Sequence, residues 1–172
     1  MTMPMSMRRR TPAPPLTRRL LASVAVVAAR ALATQPPARI HAVLTAVSRG
    51  ARPASLARTE TARADVVAVS LVCRGARGCV PRSIATALLC RMSGSWPTWH
   101  AGVRSVAPFA AHAWVEAGGQ LVGEEEPPGY FRPLMTVPPP ARTGPSTPDQ
   151  VRVTADPSAE EPGSRRHQAV AK

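Results

Sequence analysis

Cys79 stands in Gly78-Cys79-Val80-Pro81-Arg82-Ser83, ahead of an apolar pattern of helical spacing that runs to Met92. The cysteine therefore sits at the mouth of a predicted helix. There its thiol meets unpaired backbone N–H groups and the positive end of the helix dipole, and both favour the thiolate. Pro81 suits the first turn, where a missing N–H costs nothing, and Gly78 permits a backbone approach that a side chain would block. Downstream, residues 109–116 read as a strand carrying His112 between Ala111 and Ala113. Taken singly, each residue has a plainer reading: a cysteine near a helix start is commonly a small buried apolar group, and a strand histidine is commonly structural. The two in this order are the makings of nucleophilic catalysis, with imidazole as the proton acceptor.

A third group should orient that imidazole, and Glu116, Glu124, Glu125 and Glu126 are the candidates. Strand alternation puts His112, Trp114 and Glu116 on one face, but Glu116 then lies about 13 Å from His112 along the strand. A two-residue turn at Gly118-Gly119 sets Glu125 opposite His112. A three-residue turn that includes Gln120 sets Glu124 there instead. Both registers remain open at this point, and at least one of the three adjacent glutamates belongs to a solvated acidic turn. Cys73 at a loop edge and Cys90 deep in the helix read as inert, His41 and His100 have no setting comparable to that of His112, and His167 falls in the tail. Trp96 and Trp99 read as core packing at the helix-to-strand junction, with a substrate groove as the alternative.

The elements that must hold these residues are legible from periodicity and punctuation. Residues 16–34 form a helical pattern with an apolar run at 20–29. A basic stretch before such a run resembles a secretion signal, yet it is about half the length of a membrane span and Arg30 interrupts it. An amphipathic or core helix is expected. Pro36-Pro37 opens a second helix over 38–49, with Ile40, Val43, Leu44 and Val47 on one face and Gly50 at its end. A third helix is expected over 55–72, capped by Ser55, although its β-branched end has strand propensity. After the loop at 74–78, the helix over 80–92 should bury Ile84, Leu88, Leu89 and Met92. Strands follow at 96–104, 110–117, 120–123 and 130–137. The expected fold class is α+β, with N-terminal helices and a cysteine-bearing helix followed by a small antiparallel sheet. The expected division is a disordered basic N-terminus over 1–15, a helical region over 16–62, a core over 63–140 and a disordered tail over 141–172.

The chain has 172 residues and a formal charge of +12, supplied almost wholly by Arg, since the only lysine is Lys172. Without its polar ends, roughly 120 residues remain, enough for one hydrophobic core. The Arg residues are scattered among Ala and Pro, which fits a compositional bias better than a binding face for nucleic acid. Aromatic residues make up only 3%, too few for a base-stacking platform. Three cysteines without a C-x-x-C spacing argue against a disulfide framework or zinc site and for a reducing, cytoplasmic setting.

The stretch from Gly78 to Leu89, taken with Ala111-His112-Ala113-Trp114-Val115-Glu116, resembles the leader peptidases of lasso-peptide biosynthesis. These are related to the C-terminal domain of the microcin-processing protein and share a papain/transglutaminase-like core. The similarity covers roughly residues 64–140, and the upstream helices look like those of the stand-alone form of the enzyme. The resemblance implies a cysteine peptidase without a cofactor, in which Cys79 is the nucleophile, His112 the base and Glu124 the third residue, where the family usually has Asp. It further implies three partners: a precursor peptide, a small leader-binding recognition protein and an ATP-dependent macrolactam synthetase acting as cyclase. Neither nucleic-acid binding nor stable membrane insertion is expected. The rival readings are a transglutaminase-like acyltransferase, with an amine in place of water, and a basic non-enzymatic protein that binds nucleic acid or peptide.

Overall fold

The computed structural model describes residues 15–127 and 129–141. The tails expected at 1–15 and 141–172 therefore lie, apart from Pro15 and Ala141, outside the described residues. In chain order the elements are α1 (Leu16–Ala33), α2 (Pro37–Ser48), β1 (Arg52–Pro53), α3 (Leu56–Val69), α4 (Leu71–Arg74), a 3₁₀ turn (Ala76–Gly78), α5 (Cys79–Met92), β2 (Ser95–Trp96), β3 (Thr98–Arg104), β4 (Ala111–Ala117), β5 (Gln120–Leu121) and β6 (Phe131–Val137). The expected divide at 62/63 falls inside α3.

The fold is α+β. Four antiparallel strands form one sheet in the order β5-β4-β3-β6, and β1 pairs with β2 as a short parallel ribbon. The helix α5 is the centre of the molecule. It contacts β3 and β4 on one side and α1 and α3 on the other. A helix enclosed on both sides must be apolar or small nearly all round, and α5 buries Ser83, Ile84, Ala85, Thr86, Ala87, Leu89 and Cys90. Its small residues let α1 approach with Ala22, Ala25 and Ala29, all at most 2% exposed. From the sheet, Trp99, Ala113, Val115, Ala117 and Val137 complete the core. Each large aliphatic or aromatic group removed from water there contributes about 1.5–3 kcal/mol.

Polar contacts fix how the helices sit. Arg18 of α1 donates to Asp65 Oδ2 of α3 through Nε at 2.9 Å and Nη2 at 2.6 Å. Arg91 of α5 donates to the Val47 carbonyl at 2.7 Å, satisfying an orphan acceptor at the end of α2. Trp96 and Trp99 are core residues, 0% and 1% exposed. Trp96 Nε1 donates to the Val137 carbonyl at 3.1 Å and Trp99 Nε1 to Ser83 Oγ at 3.1 Å.

Several details differ from the sequence expectation, among them the strand expected over 120–123, which ends at Leu121, and Val43 and Leu88, which are exposed and half-buried. The third helix does not run through to 72: the backbone at Ser70 is extended, and its hydroxyl accepts from the Cys73 N–H to start the short α4. A serine offered its own local cap ends one helix and opens the next. Met92, expected in the core, is the last residue of α5 and is 49% exposed. The strand expected over 96–104 splits into β2 and β3 at Pro97, whose ring removes a ladder donor. No helix among the described residues is long and apolar enough to cross a membrane.

Candidate active site

Cys79 is the first residue of α5, with Gly78 as the N-cap. The 3₁₀ turn before it folds back on α4, so that Gly78 rests against the Val72 carbonyl, and a Cβ there would drive into that oxygen. This packing sets the direction from which the chain enters α5. His112 is the second residue of β4, paired with Gly102 of β3. The sheet brings the start of β4 to the mouth of α5, where the His112 imidazole and the Ala113 backbone N–H come close enough to the Cys79 thiol to lower its pKa.

On its other side, the His112 ring meets the third residue: Nε2 lies 3.2 Å from Glu124 Oε2, both side chains being 11% exposed. The structure brings Cys79, His112 and Glu124 together, while Glu125 is exposed. It does so by neither register considered from sequence. The turn is the two-residue one, since Ala117 pairs with Gln120, yet β5 ends at Leu121. Gly123 then takes φ +68°, a left-handed conformation that breaks strand alternation before the glutamates are reached.

The electrostatics follow from this geometry. The His112 hydrogen bond is the main cause holding the Cys79 thiol below its usual range, against burial that opposes it, with the Ala113 N–H, the imidazolium charge and the Val80 N–H adding to it. The sequence reading invoked only the helix terminus; the structure adds the histidine, and the Val80 N–H in the first turn of α5 works in the same direction. His112 is pushed up to about 9 by the hydrogen bonds to Cys79 and to Glu124, with burial opposing and the two negative charges reinforcing. Opposite shifts on touching partners favour the thiolate–imidazolium pair. Cys90 goes the other way, up to about 11, because it is buried. Cys73 is also fully buried.

Behind His112 the sheet presents aromatic rings. Phe131 stacks on the imidazole at 4.6 Å between centroids, and Trp114 stacks on Phe131 at 5.1 Å and on His112 at 6.0 Å. Trp114 is in turn held by Glu116, whose Oε1 accepts from the indole N–H at 3.0 Å. His100, passed over in the sequence, lies on the far side of the indole at 5.1 Å, its Nδ1 3.0 Å from Thr136 Oγ1. Only strand pairing reveals this: His100 is opposite Trp114 in the ladder. His41 is half-buried, with Nε2 3.3 Å from the Thr136 carbonyl. A cavity of about 360 Å³ bounded by Trp114, Phe131, Pro133, Glu116, Glu124 and Glu126 opens beside Glu124. It is large enough for a side chain or two of a bound peptide.

No curated protein and no solved structure matches the chain. A family model does: the one described as the transglutaminase-like superfamily matches residues 22–136, from within α1 to near the end of β6. That match takes in both the helices behind α5 and the sheet in front of it, well over half of the 172 residues. A fold that sets a helix-mouth cysteine against a strand histidine, together with this match, establishes that the chain belongs to the transglutaminase-like superfamily.

Proposed function

We propose that this protein is a cysteine peptidase that removes the leader from a ribosomally made lasso-peptide precursor. The observation that carries the proposal is the approach of Cys79, His112 and Glu124, with the thiol shifted down and the imidazole shifted up. Membership of a superfamily of cysteine-based acyl-transfer enzymes supports the reaction class, and the sequence resemblance from Gly78 to Leu89 and around His112 supports the substrate.

In the proposed mechanism, the His112 imidazole holds the proton of Cys79 and the thiolate attacks the scissile carbonyl carbon. Backbone N–H groups at the mouth of α5, that of Cys79 among them, stabilise the oxyanion. The imidazolium returns its proton to the leaving amine as the C–N bond breaks, leaving an acyl-thioester. Water, deprotonated by His112, then hydrolyses the thioester and regenerates the thiol. Glu124 fixes the imidazole ring and stabilises its cation. The freed amino terminus of the core peptide passes to an ATP-dependent macrolactam synthetase, and a separate small leader-binding protein delivers the precursor.

The test is incubation with a precursor peptide and its leader-binding protein, read by mass spectrometry. A single cut at the leader–core junction, absent with Cys79→Ala, is the expected result. Cleavage that persists in Cys79→Ala would overturn the mechanism, and an intact precursor with wild-type protein would overturn the substrate.

A further inference from the structure

Glu124 is held from more than one side. Its Oε2 faces His112 Nε2 at 3.2 Å, and its Oε1 faces Arg82 Nη2 at 3.8 Å. Arg82 lies one turn beyond Cys79 on the same helix, and its side chain is only 13% exposed. The other end of its guanidinium reaches backwards: Nη1 donates to the Cys73 carbonyl at 3.1 Å. One planar fork thus ties together the chain that enters α5, α5 itself and the loop that carries the acid. At 3.8 Å the contact to Glu124 is an ion pair, and the hydrogen bond to the Cys73 carbonyl fixes where that charge sits; a guanidinium serves both partners at once, whereas an ammonium acts as a point charge.

We propose that Arg82 is a positioning residue: from α5 it holds Glu124 in the orientation that leaves Oε2 for the imidazole of His112. Glu124 sits on a loop outside the sheet, so the ladder does not fix its side chain. Its two oxygens are divided between the two partners, and losing Arg82 frees the carboxylate to rotate toward solvent. The charged groups around the pair are few. Cys79 and Glu124 face His112 directly. Arg82 from α5 and Arg63 from α3 face Glu124. Glu126 borders the same cavity as Glu124, and His100 with Glu116 lies beyond the indole of Trp114. Arg63 is occupied with the Gly123 carbonyl, which leaves Arg82 as the cation on Oε1.

The proposal rests on the reading that Cys79 and His112 form the reactive pair, but its test needs no peptide substrate. The rate of Cys79 alkylation by iodoacetamide is followed against pH, on folded protein verified by circular dichroism. Wild type should show an upper inflection near 9, from the imidazolium. In Arg82→Met this inflection should fall by about one pH unit, because the imidazole loses its oriented carboxylate. Glu124→Gln should lower it similarly, and the double variant should go no lower than Glu124→Gln alone.

An inflection that stays in place would assign Arg82 to scaffolding alone, and one that rises would assign it a simple charge effect; either overturns the proposal. Should Arg82→Met fail to fold, Arg82→Lys serves. It keeps the charge but cannot span Cys73 and Glu124, so a smaller fall is expected, and no fall overturns the proposal. Because alkylation reports on the thiol–imidazole pair, the outcome stands whether or not the protein cleaves a leader.

Discussion

Arg63 of α3 and Gly123 of the loop after β5 interlock: the Arg63 guanidinium donates from Nη2 to the Gly123 carbonyl at 2.7 Å and lies where a glycine Cβ would be. This contact, between residues sixty apart, seats the peptide immediately before Glu124. Gly123 also has φ +68°. Gly123→Ala should therefore destabilise the fold by about 1–3 kcal/mol through backbone strain, and displacement of Arg63 adds to that. Urea unfolding gives the first number, and the rate of the folded fraction should fall with it, since the next residue is the proposed acid.

Glu124→Gln should lower the turnover rate by about 100- to 10,000-fold, in the range expected when acid–base catalysis loses the group that orients it. Glu125→Gln, at an exposed position on the same loop, should stay within about twofold, as surface changes usually do. Steady-state kinetics of both variants on one substrate decides the matter. The reverse order would remove Glu124 from the triad.

The pH dependence follows from the two shifts. His112 is raised from 6.5 to about 9. The stabilisation from its imidazolium is therefore complete below the ordinary histidine value and lost as pH rises through about 9. Cys79 is lowered, so its thiolate contribution is present above the ordinary thiol range and lost as pH falls through its depressed value. Activity should be bell-shaped, with its alkaline limb near 9. Thermal melts should show stability declining across that same limb, and His112→Gln should flatten the decline. An alkaline limb near 6.5 would mean that the contacts to Cys79 and Glu124 do not act on His112 in solution.

Thiol labelling separates the three cysteines. Cys79 is partly accessible with a lowered pKa. Cys73 is fully buried, and Cys90 is buried with its thiol raised to about 11. At neutral pH one equivalent of iodoacetamide should modify Cys79, with Cys73 and Cys90 slower by at least about 100-fold, tracking their opening from the folded state. Peptide mapping by mass spectrometry identifies the site, and Cys79→Ala should leave the folded protein nearly unlabelled.

Phe131→Leu should weaken catalysis through His112 without altering its hydrogen bonds. The phenyl ring stacks on the imidazole at 4.6 Å, and such a ring pair contributes about 0.5–1.5 kcal/mol beyond buried area. The expected effect is a roughly three- to tenfold fall in kcat with KM little changed. An equal loss in KM alone would place Phe131 in substrate binding instead.

What the sequence determined by itself is what local periodicity carries. Gly78, Cys79 and Pro81 announce the start of α5, Ile84 and Leu89 are buried in it as their spacing implies while Leu88 is half-buried, and alternation around His112 gives β4 and the face it shares with Trp114 and Glu116. These signals arise from the chain's own hydrogen-bond geometry and are present in any window a few turns long. Tertiary structure decided the rest. Glu124 rather than Glu125 meets His112 because the ladder stops at Leu121 and Gly123 turns the chain, after which alternation no longer predicts direction. His100 joins the aromatic stack because β3 pairs with β4 in one particular register. Arg82 reads in sequence as one cation among many, and only the approach of the Glu124 loop to α5 gives it a partner. Contacts between distant segments depend on how whole elements pack, and no short stretch of residues encodes that packing alone.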